Sequence, residues 1–109
     1  MNSIEKYSEQ IFENIKHVNE YGQEFWYARD LQVALEYKRW DRFNDVLDRA
    51  ISACRESGNS IEDHFSHVGK MVNLGSGSQR EVDDYMLSRY ACYLIVIHAH
   101  QDPGRIEKF

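Results

Sequence analysis

The segment VGKMVNLGSGSQREVDDYML, residues 68–87, decides the fold that we predict for this chain. Val68–Leu74 and Glu81–Leu87 are rich in β-branched and apolar residues, as strands are. The six residues between them, Gly75–Arg80, are polar and include two glycines. Two strand-like runs with a glycine-containing connection are typical of a β-hairpin. The sequence therefore predicts a hairpin with a flexible, polar tip.

Helices are predicted on both sides of this hairpin. Ser88 is a good N-cap for a helix over Arg89–His100, which is apolar almost all round and should therefore lie in the core. Upstream, apolar residues recur at helical spacing in one complete stripe: Phe43, Val46, Leu47, Ala50, Ile51 and Cys54. Gly58 is well placed to end that helix in a left-handed conformation.

The N-terminal part adds a helix, a short strand and a second helix. Ile4, Tyr7, Ile11, Ile15 and Val18 predict a helix over residues 3–18. Glu24–Tyr27 is aromatic and strand-like, and Ala28–Glu36 predicts a short helix. The fold class is therefore α+β, with helices on a small antiparallel sheet. Two helices flanking Tyr37–Arg39, followed later by a hairpin, resemble a winged helix-turn-helix.

Length and charge limit the function. The chain has 109 residues, which suits a single domain over 1–109, composed of the N-terminal helix 3–18 and a core domain 24–103. Thirteen basic and eighteen acidic side chains give a net charge of −5, which argues against a protein that coats nucleic acid non-specifically. The N-terminus lacks a signal-peptide pattern, and Tyr90–Ile97 is too short to span a membrane. We expect a cytoplasmic protein, without a membrane partner, whose Cys54 and Cys92 stay reduced.

The sequence lacks the usual motifs of catalysis and cofactor binding. His64 and His67 are three residues apart, but no further ligand pattern completes a metal site, so none is predicted. Asp83 and Asp84 are adjacent on a strand and should point to opposite faces, which excludes a carboxylate dyad. The Gly75–Ser78 run lacks the Lys-Ser/Thr of a phosphate loop. We therefore predict a protein that is not an enzyme and holds no cofactor.

Two basic segments are the candidate binding sites. Lys38, Arg39, Trp40 and Arg42 cluster at the start of the long helix. Lys70, Gln79 and Arg80 should lie near the hairpin tip. These residue types grip phosphates and anchor protein interfaces. Asp41, Asp45 and Asp48 dilute the first segment, so a simple solvated helix face is the alternative interpretation.

Four strings carry a family resemblance: Glu24–Gln32, Leu35–Trp40, Met71–Val82 and Met86–Ile95. They resemble the N-terminal half of the bacterial DNA-damage-inducible protein D family. That half is in turn similar to the Bro N-terminal domain of phage and viral antirepressors. The resemblance covers roughly residues 17–103. Family members usually continue past Asp102–Pro103 into a second, helical half, whereas this sequence stops at Phe109.

The resemblance implies a role in the DNA-damage (SOS) response and no known enzymatic activity. It implies action on filaments of the bacterial strand-exchange recombinase (RecA-type), either disassembling them or blocking strand exchange, and hence regulation of recombination. The related Bro domains are regarded as modules that bind DNA or a repressor. The expected partners are thus a recombinase filament or a repressor protein, with DNA and a homodimer as alternatives. A purely structural domain of a longer protein is the remaining interpretation.

Overall fold

The computed structural model describes the backbone of residues 3–102 and the side chains of residues 9–102. Five helices and four strands lie within that range. The helices are α1 (Ser3–Ile15), α2 (Ala28–Ala34), α3 (Trp40–Glu56), α4 (Ile61–His64) and α5 (Arg89–His100). The strands are β1 (His17–Val18), β2 (Glu24–Tyr27), β3 (Phe65–Asn73) and β4 (Gln79–Leu87). The predicted α+β class is confirmed.

The four strands form one antiparallel sheet in the order β1-β2-β4-β3. Strands β3 and β4 pair over nine residues each, from Phe65 opposite Leu87 to Asn73 opposite Gln79. The predicted hairpin is therefore confirmed, and both strands are longer than the sequence suggested. Strand β2 pairs with β4 only at Trp26 and Tyr27, so most of the hairpin extends beyond the rest of the sheet.

One hydrophobic core lies between the helices and the sheet. The α3 stripe is buried as predicted, except that Ile51 is half-buried. Helix α5 contributes five buried residues: Ala91, Cys92, Ile95, Val96 and Ala99. Ser88 is its N-cap, because its hydroxyl accepts a hydrogen bond of 3.1 Å from the Ala91 amide. Both predictions, the amphipathic α3 and the central α5, are thus confirmed.

The predicted helix over residues 3–18 is wrong at its C-terminal end. Helix α1 stops at Ile15, and Val18 belongs to β1, where it pairs with Glu24 of β2. A tight turn accounts for the difference, because the Asn19 side chain accepts hydrogen bonds from the amides of Tyr21 and Gln23. The β-branched Val18 suits a strand at the edge of that turn. The stripe residues Ile4 and Tyr7 lie outside the described side chains.

The connection between α2 and α3 is fixed from inside the protein. Tyr37 is buried, and its hydroxyl donates a hydrogen bond of 2.7 Å to the Asp102 carboxylate. Glu36, just before it, has a φ of 65°, the left-handed conformation that lets the chain turn sharply after α2. The winged helix-turn-helix stays a prediction, although the order helix, turn, helix and later hairpin is present. Pro103 lies outside the described residues.

A charged network ties the two ends of the domain together. The Arg89 guanidinium at the start of α5 donates to both carboxylate oxygens of Glu24, at 2.7 and 2.9 Å, and to Glu9 of α1 at 3.2 Å. These hydrogen bonds lower the pKa of Glu24 and raise the pKa of Arg89. Trp26 lies beneath them, fully buried, and its indole N–H donates to the Phe12 carbonyl.

Candidate binding surfaces

We call the distal part of the β3–β4 hairpin, residues 68–82, the arm. Side chains alternate between the two faces of a strand, so the even-numbered residues of β3 and β4 share one face. The odd-numbered face carries Phe65 and Leu87 at its inner end, and both are buried in the core. We call the even-numbered face of the arm its outer face, although at its inner end, beyond the arm, the same face carries the buried Asp84.

The arm brings Lys70 and Arg80 together on this outer face. Lys70 pairs with Val82, and Arg80 pairs with Val72 on the adjacent rung. Both cations are exposed, and neither forms an ion pair with any side chain that the structure describes. The Lys70 ammonium lies 5.8 Å from the centre of the Tyr27 ring. The outer face of the arm thus presents two unneutralised cations separated by aliphatic side chains.

Gln79, the third predicted residue of the hairpin, lies on the opposite face. Its amide donates a hydrogen bond of 3.1 Å to the side chain of Asn73, its partner across the last rung. That face of the hairpin is acidic, because it carries Glu81 within the arm and Asp83 directly beyond it. An Asp83 carboxylate oxygen lies 2.9 Å from the His67 Nε2 and accepts its hydrogen bond. Gln79 therefore does not join the cationic pair.

The basic segment at the start of α3 is partly neutralised. Arg39 forms an ion pair with Asp41, and the same contact lowers the pKa of that carboxyl group. Arg42 contacts the buried Asp102 carboxylate at 3.3 Å. Lys38 is exposed and, among the described residues, forms no ion pair. This segment therefore has less free positive charge than its sequence suggests.

Trp40 is half-buried and already has a cation on its ring. It packs against Phe43, and the Arg29 guanidinium lies 4.1 Å from the ring centre. Arg29 is held there by its Nε, which donates 2.7 Å to the Asp83 carbonyl, and its amide donates 3.1 Å to the buried Asp84 carboxylate. Sequence reasoning missed Arg29, because it is 11 residues from Trp40 and only the fold brings the two together.

The seven predicted binding residues thus fall into groups rather than one patch. Lys70 and Arg80 lie together on the outer face of the arm, and Gln79 lies on the other face. Lys38, Arg39, Trp40 and Arg42 lie directly before α3 and in its first turn. The acidic Asp41, Asp45 and Asp48 are all exposed on α3, so its solvent face is poorly suited to the phosphates of a DNA groove.

Two of the histidines and both cysteines are at least partly buried. The His64 ring nitrogen Nδ1 lies 2.6 Å from the Ser88 hydroxyl, and His98 Nδ1 lies 2.9 Å from the Leu94 carbonyl. Cys54 and Cys92 are buried, free thiols, and burial raises the pKa of both. Among the side chains that the structure describes, those of residues 9–102, no group of three or more His, Cys, Asp or Glu is arranged to hold a metal ion. In the same range, no helix has the length and apolarity that crossing a bilayer requires.

Comparison with known proteins identifies the family of the chain. The model of the BRO family, N-terminal domain, matches residues 14–105. DNA damage-inducible protein D of Escherichia coli (strain K12) is 48% identical over 96 residues, which cover 88% of this chain and 34% of that relative. The chain therefore spans about a third of the length of the curated relative that it matches. No solved structure matches the chain. On the family match and the similarity to this relative, the chain belongs to the N-terminal domains of the BRO family.

Proposed function

We propose that the chain is a non-catalytic, cytoplasmic binding module of the DNA-damage or prophage response, and that it contacts DNA through the outer face of the arm. The observation that carries this proposal is the pair Lys70 and Arg80, both exposed, on one face and without ion-pair partners among the described residues. Exposed cations on a projecting β-ribbon are suited to phosphate contacts. The setting is suggested by the relative's name, which links it to DNA damage.

The first target that we propose is single-stranded DNA coated by a RecA-type recombinase. On such a filament the arm would contact the DNA backbone, and binding would inhibit or disassemble the filament. Two cations are too few for a protein that coats DNA. They fit a chain of net charge −5 that contacts DNA at a single place. The action on filaments is the finer part of the proposal and is tested separately from DNA contact.

The second candidate is an antirepressor-like module that binds a repressor protein. Trp and Arg are the residue types that most often dominate protein interfaces. Trp40 and Arg29 form such a pair at the start of α3, and the pair is fixed by Phe43 and the Asp83 carbonyl. This surface has little free positive charge, so binding through it would depend weakly on salt.

The test compares two charge-reversed variants. Lys70→Glu with Arg80→Glu changes the arm, and Arg49→Glu with Arg55→Glu makes the same change in net charge on the exposed face of α3. Fluorescence anisotropy measures binding to a single-stranded oligonucleotide, bare or coated with recombinase, at two salt concentrations. We expect the arm variant to lose about tenfold or more in affinity, since a hydrogen bond to a charged group contributes about 1.5–3 kcal/mol.

The α3 control variant should bind much more tightly than the arm variant. If both variants lose affinity equally, the effect is net charge and the arm is not the contact. Binding to coated DNA but not to bare DNA would support the filament as the target. Binding to coated DNA that is insensitive to salt and to the arm variant, and is lost in Trp40→Ala, would instead assign the contact to a protein interface at Trp40.

A further inference from the structure

The outer edge of the hairpin offers a second kind of binding site. Strand β3 is at the end of the strand order β1-β2-β4-β3, and it is nine residues long. Its pairing with β4 has no bulge, and β3 contains no proline. Proteins usually protect such edges with prolines, bulges, charges or short strands. Here only Lys70 carries a permanent charge, so this edge is open to pairing with another strand.

The register identifies which backbone groups point outward. In an antiparallel pair, residues alternate between those that bond to the partner strand and those that point away from it. The Leu74 amide bonds to the Ser78 carbonyl at one end, and the Ser88 amide bonds to the His64 carbonyl at the other. The even-numbered residues of β3 therefore bond to β4. The odd-numbered residues His67, Gly69, Met71 and Asn73 direct their N–H and C=O groups outward.

We infer that β3 pairs with β3 of a second copy of this chain, antiparallel, with Met71 of the two copies opposite each other. This register makes Met71, whose side chain is 54% exposed, contact its own copy across the two-fold axis. It also places Gly69 opposite Asn73, and Lys70 opposite Val72. The three outward-facing residues Gly69, Met71 and Asn73 then make their backbone hydrogen bonds with the other copy.

The charges favour this register over the neighbouring one. The Glu81 side chain lies across Gly69, so that a Cβ at Gly69 would be 2.6 Å from the Glu81 Cδ. A pairing centred on Gly69 would bring the two Glu81 carboxylates together, and like charges directly across strands are destabilising. Centring on Met71 separates them and places each one near the Asn73 of the other copy. In this register Lys70 of one copy also faces the apolar Val72 of the other copy, rather than the other Lys70.

The proposed dimer deepens the DNA-binding proposal, and for that part it rests on the proposed function. Pairing at the β3 edge continues the sheet, so the outer faces of the two arms become one surface. Lys70 and Arg80 of both copies then share that surface. Four cations on one face would explain how an acidic chain binds a polyanion.

Sedimentation equilibrium of the full chain at rising concentration tests the pairing. We expect a concentration-dependent dimer that is lost in Met71→Pro, because proline removes an outward N–H without removing a β3–β4 hydrogen bond. Met71→Thr keeps that N–H and should still dimerise. A monomer at every concentration, or a Met71→Pro variant that dimerises like the parent, overturns the proposal. DNA binding by the arm is measured separately by anisotropy, so a failure of the dimer proposal is distinguishable from a failure of the proposed function.

Two further variants test the register even if proline perturbs the arm. Val72→Glu places a carboxylate opposite Lys70 of the other copy and should strengthen the dimer, whereas Val72→Lys should weaken it. Met71→Cys should give a covalent dimer when diamide oxidises the two thiols, since directly opposite Cα atoms are about 5.5 Å apart. Asn73→Cys, which faces Gly69 of the other copy, should not. Equal cross-linking of both cysteine variants would contradict the register.

Discussion

The body of the domain and the arm differ in what their side chains do. Around Trp26 the side chains are buried, paired or both: the indole N–H is bonded, Arg89 holds two acidic groups, and α5 fills the core. In the arm, between Lys70 and Arg80, side chains are largely exposed and carry unpaired charge. Removing groups from the body should therefore cost stability, whereas removing them from the arm should cost binding.

The largest effect that we expect is from Trp26→Ala. Trp26 is fully buried, packs edge-to-face with Phe12 and donates to its carbonyl at 2.9 Å. Truncating such a residue leaves a cavity and should lower the free energy of unfolding by about 3–5 kcal/mol. Urea unfolding followed by circular dichroism measures the change. A loss below about 1 kcal/mol would show that Trp26 does not anchor the core.

Arg89→Met should have the next largest effect, and the effect should depend on pH. The Arg89 hydrogen bonds lower the pKa of Glu24, so in the parent this contribution is present above the ordinary value of 4.5 and is lost as the pH falls through the lowered value. We expect the variant to be less stable at pH 7 by about 1.5–2 kcal/mol, the lower part of the range for charged hydrogen bonds, because Glu24 is exposed and water screens its ion pair. The difference in stability between the parent and the variant should narrow below pH 4.

Unfolding curves of the parent and Arg89→Met, recorded between pH 3 and pH 7, test this dependence. A stability gap that stays constant with pH would mean that packing of Arg89 on Trp26, where the guanidinium lies 5.1 Å from the ring, matters more than its carboxylate partners.

Replacing either cysteine should have a smaller effect on the free energy of unfolding, and the two replacements should differ from each other. Cys92 is fully buried on α5 among apolar residues, so Cys92→Ser places a hydroxyl there and should cost about 1–3 kcal/mol. The Cys54 sulfur lies 4.0 and 3.9 Å from the carbonyls of Asn59 and Ser60, which offer acceptors to a serine hydroxyl. Cys54→Ser should therefore cost less. Thermal unfolding of both variants gives the order, and the reverse order would contradict it.

The smallest stability effect should come from the arm. Lys70→Ala with Arg80→Ala removes two exposed side chains that form no ion pair within the described part of the chain, so the free energy of unfolding should change by less than about 0.5 kcal/mol. The same variant should bind single-stranded DNA more weakly. Measured together, urea unfolding and anisotropy separate the two roles. A stability loss as large as that of Arg89→Met would remove the distinction between arm and body.

The sequence predicted the elements that local chemistry determines. The α3 stripe, the Ser88 cap and the glycine-rich tip are each encoded in a few neighbouring residues, and all three are present. The predicted end of α1 was wrong, because the apolar spacing through Val18 is compatible with a helix, whereas the turn at Asn19 favours a strand. Local periodicity does not decide between two such alternatives.

The binding surfaces were less predictable, because they depend on contacts between distant residues. Lys70 and Arg80 were both named from the sequence, and the register of the hairpin puts them on one face. The same register puts Gln79 on the other face. Arg29 on Trp40, and Asp102 beside Arg42, join segments that the sequence gives no reason to connect. Spacing therefore predicted which residues lie in the arm, but not which of them carry free charge.

The most direct test of the arm as the binding element is an NMR titration of the nitrogen-15-labelled chain with a single-stranded oligonucleotide. We predict that amide shift changes concentrate between residues 68 and 82, and that they are largest near Lys70 and Arg80. Changes concentrated on α1 or α5, with the arm unaffected, would contradict the assignment of binding to the arm.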